Sequence, residues 1–523
     1  MQMFTAQAES YDPKAAKAIV LTIGLFVLTW LVSDWIISGS SQYLVLACVG
    51  CAGVAVFMTI MKDWRSGVFI FLGWLVFEDQ IRKYLGNNLL IFFAKDVLAG
   101  VTYISMWAAY RRGRLLTFNP PFMLWLGIFF WMAALQVLNP NSPSVFFGLL
   151  GMKTYFYYVP LMFAGYAILR TDADLHKILM LNMWIALIVS GFGLLQSFGG
   201  GDFLTPKDLA PELYTLSHVQ RGTTESGLAF TRSSSLFVSD ARFAQFLILL
   251  FILAVGSAGY LLLRTTRGRY LVFGALGVIT VATIMCGTRS PIVYLIVNAV
   301  VLSVAMLWGA PWRQRQAFRL GKTIRNAIII CAISIGLTTA LFPDAIHRRW
   351  AFYSDSLAPN GAHTELGFRS WDYPLIAIRS VFEQPNWQWG NGTGVASLGT
   401  QYVTRAFSVP SLNVGAESGY ALLIAEFGLI GPVLWTVWTV SVFVAGWKVV
   451  KKLRQTAYFP IGFAIFWYVF MLLGSFTLYG LNAYQNYLTN SYLWLIIGIL
   501  FRLPSLLAEN RALAAAQNAP AEA

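Results

Sequence analysis

Five arginines stand beside long apolar runs, in segments that could bind a phosphate group. Arg232 and Arg242 lie in FTRSSSLFVSDARFAQF, Arg289 lies in CGTRSP, and Arg369 and Arg379 lie in GFRSWDYPLIAIRSVFEQP. A guanidinium binds phosphate oxygens through paired hydrogen bonds and stays charged. If these side chains converge above apolar walls, they suit a lipid-linked diphosphate. The alternative, that each is a loop cation or a lipid-headgroup contact, stays open for every one of them.

One carboxylate is placed where it could act as a general base. Glu417 stands at the mouth of the apolar run GAESGYALLIAEFGLIGP. Partial loss of solvent at such a boundary raises the pKa of a carboxylate towards the range in which a general base works. The alternative is a helix N-terminal acid, favoured by the helix dipole. Glu426 lies deeper in the same run and is interpreted as structural.

Ionisable residues inside apolar runs also need a partner or a function. Lys95 and Asp96 stand in IFFAKDVLAG. Neighbouring helix residues do not face each other, so each needs its own partner, and we expect an interhelical polar contact rather than a substrate contact. Lys153 lies near the start of its run, where it could either reach the membrane interface or bind substrate.

The composition indicates that these residues are held by membrane helices. The chain has 523 residues, of which 57% are hydrophobic and only 11% are charged, with a net charge of +14. Soluble proteins carry roughly 25% charged residues, whereas this chain repeats apolar runs of about the 18–20 residues that cross a membrane. Disorder, a collagen-like repeat, a disulfide scaffold and a nucleic-acid-binding module are therefore excluded. The predicted fold class is all-α, a polytopic bundle of transmembrane helices.

Motifs for nucleotides and metals are missing from the sequence. The chain has no G-x-x-x-x-G-K-[ST], and Gly390, Gly392 and Gly394 in WGNGTGV are expected to build a tight loop rather than a nucleotide site. The histidines have no metal-ligand spacing. We therefore expect no metal and no cofactor, and ATP-driven transport and nucleotide-sugar chemistry lose their necessary parts.

About fourteen spans can be read from the apolar runs. They lie near 17–37, 43–61, 66–78, 88–109, 120–138, 148–169, 177–199, 241–263, 270–287, 291–309, 324–342, 417–447, 458–477 and 486–502. Lysines and arginines occupy alternate connections, which by the positive-inside rule lie in the cytoplasm together with both termini. The two long connections, 200–240 and 343–416, then lie on the periplasmic side.

This reading divides the chain into five parts. They are N-terminal helices over 1–140, a core over 141–342 that contains the loop 200–240, a periplasmic loop over 343–416, C-terminal helices over 417–502 and a cytoplasmic tail over 503–523. Within the long loop Trp371, Leu375, Ile378 and Phe382 recur at helical spacing. This pattern predicts an amphipathic helix that lies on the membrane surface or caps a cavity.

Four short motifs of the sequence, together with their order and their places in the predicted topology, resemble those of the superfamily of O-antigen ligases and Wzy-type polysaccharide polymerases. These are integral membrane glycosyltransferases of the bacterial envelope. The resemblance covers roughly residues 140–480. The motifs are Arg232 to Phe237, Gly287 to Ser290, the loop residues Arg369, Trp371, Pro385, Gly392 and Gly394, and the segment Ala416 to Gly431.

One departure from the family pattern favours the polymerases. Ligases of this family usually carry His-Asn at the start of the span after the long loop, and that histidine is taken as catalytic. This chain has Glu417 and Ser418 at the matching place. A carboxylate can still act as the base, and polymerase sequences vary more at this position.

The resemblance implies a GT-C-like bundle of about 12–14 spans in the bacterial inner membrane. It implies polymerisation of undecaprenyl-diphosphate-linked repeat units into a surface polysaccharide by inverting, metal-independent glycosyl transfer, with a glycan acceptor. Membrane lipids, a flippase and a chain-length regulator are the implied partners. The catalytic residues would be Glu417, Arg289 and Arg369, and the substrate-binding residues would be Arg232, Arg242, Arg379, Lys153, Trp371 and Tyr420.

Other functions stay open at this point. A ligase would transfer the same lipid-linked glycan to a lipid core or a protein. A transporter of polysaccharide or lipid would show ionisable residues near mid-membrane and broken helices. A receptor or scaffold of an envelope assembly is a third class.

Overall fold

The computed structural model describes residues 41–86, 89–200, 202–206, 209–210, 213–214, 218, 220–222, 229–264, 267–312, 343–357, 368, 372–410 and 418–518, with 325, 329, 333, 336, 339 and 340. One antiparallel hairpin joins β1 (Gln220–Gly222) to β2 (Ala229–Thr231), and the other regular elements of this part are helical. The helices are α1 (Ser41–Lys62), α2 (Trp64–Leu85), α3 (Leu89–Arg111), α4 (Met123–Gln136), α5 (Val145–Phe156), α6 (Leu161–Ile168), α7 (Asp172–Gly199), α8 (Asp240–Arg264), α9 (Arg269–Met285), α10 (Arg289–Gly309), α11 (Pro343–Leu357), α12 (Tyr373–Phe382), α13 (Thr400–Phe407), α14 (Gly419–Phe427), α15 (Ile430–Leu453), α16 (Phe459–Phe470), a π-helical turn (Met471–Ser475), α17 (Phe476–Tyr479), α18 (Asn482–Gln485) and α19 (Tyr487–Asn518).

Seven helices of the described chain are long and apolar enough to cross a membrane. They are α3, α7, α8, α10, α15, α19 and the continuous segment from α16 to Tyr479. This confirms the prediction of a helical protein with several membrane-spanning segments. The helices α4 and α9 are apolar but shorter, and α2 carries too many charges to qualify by composition. The predicted span 17–37 lies outside the described residues, and only scattered residues of 324–342 are described.

Two predicted spans are broken, so the prediction of continuous helices was wrong there. The span 148–169 is divided into α5 and α6, and α6 begins directly after Pro160. Proline has no amide hydrogen for the helix ladder and hinders the preceding turn. The span 417–447 is divided at Gly428, whose φ of 69° ends α14, and a Cβ there would collide with the carbonyl of Gln388.

The interior is built around α8, whose most apolar stretch is 89% buried within the protein. Small residues let the surrounding helices approach closely, as in other membrane bundles. A Cβ on Gly165 of α6 would overlap the carbonyl of Leu495 on α19. At the periphery, apolar side chains such as Leu90, at 80% exposure, point away from the protein. This outward apolar surface is the one that lipid would cover.

The amphipathic helix of the long loop is confirmed as α12, and it has two apolar faces. Pro374, Ala377 and Val381 are buried where α12 packs on α14. The face predicted from helical spacing remains open, because Leu375 and Phe382 are 51% and 40% exposed. Trp371, the fourth member of that pattern, lies outside the described residues.

Candidate functional site

The last two turns of α2 bring four charged side chains into the interior. Glu78, Asp79, Arg82 and Lys83 are each at most 2% exposed. These positions lie one helical turn apart in pairs, so they share one face of α2. The sequence analysis missed them because it ended this span at residue 78, where the apolar run stops. The run FEDQIRK, with two acids followed by two bases at a spacing of three to four residues, was the available signal.

Asp79 is the anchor of this group. Both of its carboxylate oxygens accept from Nη1 of Arg242, at 2.9 and 2.7 Å, and Oδ1 also accepts from Nη1 of Arg82 at 3.3 Å. The amide of Val238 donates to Oδ2 at 3.1 Å. A carboxylate without solvent needs several donors to remain charged, and Asp79 has them from two helices and one loop.

Lys95 and Asp96 have separate partners on other helices, as the sequence analysis expected. Lys95 Nζ lies 2.8 Å from Glu78 Oε1 on α2. Asp96 Oδ2 lies 2.6 Å from Lys153 Nζ on α5, and Tyr158 donates to Asp96 Oδ1 at 2.9 Å. Lys153 lies in the last turn of α5, not near the start of a span as expected, and it reaches across to α3.

Lys83 differs from the other cations because its hydrogen bonds go to neutral oxygens, although the Asp79 carboxylate is close enough to act on its charge. Its Nζ is 3.4 Å from Ser234 Oγ and 3.2 Å from the carbonyl of Ser235. Among the described residues, no carboxylate forms a salt bridge with it. We name the eight charged side chains of this site the cationic cluster: Arg82, Lys83, Lys95, Lys153, Arg242, Glu78, Asp79 and Asp96. Five cations face three carboxylates, so the cluster has two positive charges in excess.

Aromatic rings separate the like charges within the cluster. Lys95 Nζ lies 3.7 Å from the ring centroid of Phe92 and 4.4 Å from that of Tyr487. Lys153 contacts the Phe92 ring at 5.0 Å, and the Arg242 guanidinium lies 4.9 Å from the Tyr487 ring. Cation–π contacts of this kind stabilise positive charge without neutralising it.

The cluster lies at one end of the bundle. It uses the C-terminal turns of α2, the N-terminal turns of α3 and α8, and the last turn of α5. The long loop reaches the cluster through α13, because Arg82 Nη2 donates to the hydroxyl of Tyr402 at 3.0 Å.

The predicted arginines have different partners. Arg242 belongs to the cationic cluster. Arg232 donates to Asp240 Oδ2 at 2.9 Å, and Arg289 begins α10 with its guanidinium 4.3 Å from the ring centroid of Phe352. Arg379 is exposed on α12.

Arg232 and Arg289 meet at the turn between α9 and α10. The amide of Ser233 donates to the carbonyl of Cys286 at 3.2 Å, which brings the Arg232 segment to this turn. Arg349 of α11 is also present and was missed by the sequence analysis. It is 5% exposed and donates from Nε to the carbonyl of Met285 at 2.9 Å. Burial lowers the pKa of Arg349 and raises that of the neighbouring Tyr353.

The first turn of α8 links this turn to the cationic cluster. Asp240 pairs with Arg232, and Arg242, two residues later, pairs with Asp79. Three other predicted residues, Arg369, Trp371 and Glu417, lie outside the described residues. Tyr420 is half-buried in the first turn of α14. Ser418, the residue after Glu417 in the motif, directly precedes α14 and donates to the carbonyl of Leu478 at 2.9 Å.

The glycine loop WGNGTGV is held by Glu426. Glu426 is fully buried, and its Oε1 accepts from the amide of Ala396 at 3.1 Å and from Ser397 Oγ at 3.0 Å. Its own carbonyl accepts from the amide of Gly392 at 3.1 Å. Gly394 has a φ of 82°, and a Cβ there would overlap the carbonyl of Phe147. This confirms the tight loop, and it gives Glu426 the structural role that the sequence analysis assigned.

Within the described residues, no group of three or more His, Cys, Asp or Glu side chains is arranged to hold a metal. The cationic cluster offers positive charge, hydrogen-bond donors and aromatic faces. Such a site stabilises an anion that binds or develops there. Comparisons of the chain with family models, with curated proteins and with solved structures give no match.

Proposed function

We propose that the protein is a membrane glycosyltransferase that polymerises undecaprenyl-diphosphate-linked repeat units at the periplasmic face of a bacterial inner membrane. The observation that carries this proposal is the excess of two positive charges in the buried cationic cluster. A polyprenyl diphosphate brings negative charge to a site beside apolar helices, which is what this excess is suited to bind. The motif resemblance to the O-antigen ligase and polymerase superfamily supports the same substrate class.

In this proposal the diphosphate binds beside Lys83 and Arg242, because among the described residues no carboxylate forms a salt bridge with Lys83. The acceptor hydroxyl attacks the anomeric carbon of the donor as the bond from that carbon to the diphosphate oxygen breaks. Glu417 takes the hydroxyl proton, and the lipid diphosphate leaves. Arg232, Arg289 and Arg369 stabilise the charge that develops on the leaving group.

The long loop would hold the sugars in this proposal. Tyr402 connects α13 to Arg82, and Glu426 fixes the glycine loop that precedes α13. Trp389, next to that loop, is 77% exposed, so its ring is free to stack on a sugar face. A flippase would deliver the donor, and a chain-length regulator would act on the product.

Reconstitution with an undecaprenyl-diphosphate-linked repeat unit tests the proposal. A ladder of growing chains supports a polymerase, whereas a single transfer to a lipid core or protein acceptor supports a ligase. Glu417→Gln should abolish growth, and Lys83→Met should reduce it. Lys451→Gln is the matched control, because Lys451 is an exposed lysine of α15 at the end of the bundle opposite to the cationic cluster. Full activity of both Glu417→Gln and Lys83→Met would overturn the site assignment.

A transporter of the same lipid-linked glycan is the second candidate function. It is favoured by the broken helices α5–α6 and α14–α15 and by the ion pairs of the cationic cluster, which are features of transport pathways. Liposomes that contain the protein and a fluorescent lipid-linked oligosaccharide distinguish the two functions. Movement of the label across the bilayer without chain growth would favour the transporter.

A further inference from the structure

A groove between α4, α15 and α19 lies at the end of the bundle opposite to the cationic cluster. Its volume is about 780 Å³, within the range of ligand sites. Its walls are mostly apolar, with Trp125 from α4, Val440 and Val444 from α15, and Phe501 from α19. The proposed function does not use this groove.

Two lysines give the groove a charged end. Lys448 and Lys452 of α15 both line it, and they continue the stripe of Val440 and Val444 along the same helix face. Both lysines are exposed, and among the described residues neither forms a salt bridge with a carboxylate. The groove therefore combines an apolar wall with two ammonium groups one turn apart that pair with no carboxylate of the described residues.

We propose that this groove binds one anionic glycerophospholipid. An acyl chain lies along Val440 and Val444, and the phosphate lies between Lys448 and Lys452. The positive-inside rule assigns this end to the cytoplasm, where basic pockets between membrane helices bind anionic headgroups. Charge complementarity selects this occupant, because a zwitterionic lipid offers the same chains without the net negative charge.

Native mass spectrometry of the purified protein tests this inference, with phosphatidylglycerol and phosphatidylcholine titrated in parallel. We expect one phosphatidylglycerol to bind at least about fivefold more tightly than phosphatidylcholine. The double variant Lys448→Gln/Lys452→Gln should lose about tenfold or more of the phosphatidylglycerol affinity. Val440→Trp, which fills the groove and leaves the charge unchanged, should weaken both lipids.

Lys451→Gln is the matched control, because Lys451 has the same charge and lies one residue away but does not line the groove. Its phosphatidylglycerol affinity should stay within about twofold of the unchanged protein. Three results would each overturn the proposal. These are equal binding of both lipids by the unchanged protein, an equal loss in Lys451→Gln and in the double variant, and no loss in Val440→Trp. None of these measurements depends on glycosyl transfer.

Discussion

The two ends of the bundle both hold ion pairs, but in different surroundings. At the end that carries the cationic cluster, Asp79 is fully buried beneath Arg242 and Arg82. At the opposite end, Arg264 pairs with Asp172, and these side chains are 28% and 30% exposed. Arg502 likewise pairs with Glu509, and these side chains are 5% and 49% exposed. Residue type alone therefore does not distinguish the ends, whereas burial of the carboxylate does.

This difference has an energetic meaning. An exposed ion pair contributes about 0–1 kcal/mol, because water screens its charges. A buried pair lacks that solvent, so the loss of one partner leaves an uncompensated charge and costs about 3–5 kcal/mol. At the opposite end, weak ion pairs are sufficient, because the basic residues there are needed only to orient the helices in the membrane. The cationic cluster retains costly charges and a positive excess, which is typical of a binding site.

The largest expected effect on stability comes from removing the Asp79 carboxylate, with the removal of Asp172 at the opposite end as the comparison. Asp79→Asn leaves Arg242 and Arg82 without their buried counter-charge, and should lower the free energy of unfolding by about 3–5 kcal/mol. Asp172→Asn, the matched change at the opposite end, should lower it by at most about 1 kcal/mol. Denaturation of both variants in the same detergent measures the difference. Equal losses would remove the distinction between the two ends.

A carboxylate held by neutral donors should give an intermediate effect. Glu426→Ala leaves the amide of Ala396 and the hydroxyl of Ser397 without their acceptor, and should cost about 2–3 kcal/mol. The exposed cap Asp63, which accepts from the amide of Arg65, is the control at the other end, and Asp63→Ala should cost about 1 kcal/mol. Limited proteolysis within 385–410 should become faster only in Glu426→Ala. An intact loop in that variant would show that Glu426 does not hold it.

Lys83→Met should behave in the opposite way to Asp79→Asn. It removes a buried cation that forms no salt bridge among the described residues, so the free energy of unfolding should stay the same or rise by about 1–2 kcal/mol. Thermal unfolding of the two variants side by side provides the measurement. A loss of stability comparable to that of Asp79→Asn would mean that Lys83 is a structural residue.

The smallest effect is expected at the contact between the long loop and the cluster. Tyr402→Phe removes the hydroxyl that accepts from Arg82 and should cost about 0.5–1.5 kcal/mol. Tyr458→Phe removes a hydroxyl that accepts from Arg264 at the opposite end and serves as the comparison. Under the proposed function, only Tyr402→Phe should raise the KM for the donor. An equal KM for the donor in both variants would show that α13 does not take part in donor binding.

The sequence predicts the helical class, the separate partners of Lys95 and Asp96, the tight glycine loop and the helix α12. Each follows from local composition or from helix geometry. The charged face of α2 was missed because an apolar window ends where Glu78 begins. The sequence analysis also missed that Arg242 has a different partner from Arg232 and Arg289. The pairing of Arg242 with Asp79 depends on packing between distant segments. The break at Pro160 had a local signal in the proline itself, whereas the break at Gly428 depends on its close approach to Gln388.

Binding of undecaprenyl diphosphate to the purified protein tests the central claim most directly. Titration followed by native mass spectrometry would compare the unchanged protein, Lys83→Met and the control Lys451→Gln. If the cationic cluster holds the diphosphate, Lys83→Met should weaken binding by about tenfold, and Lys451→Gln should leave it within about twofold. Equal affinity of all three proteins for undecaprenyl diphosphate would contradict the assignment of the cluster as the donor site.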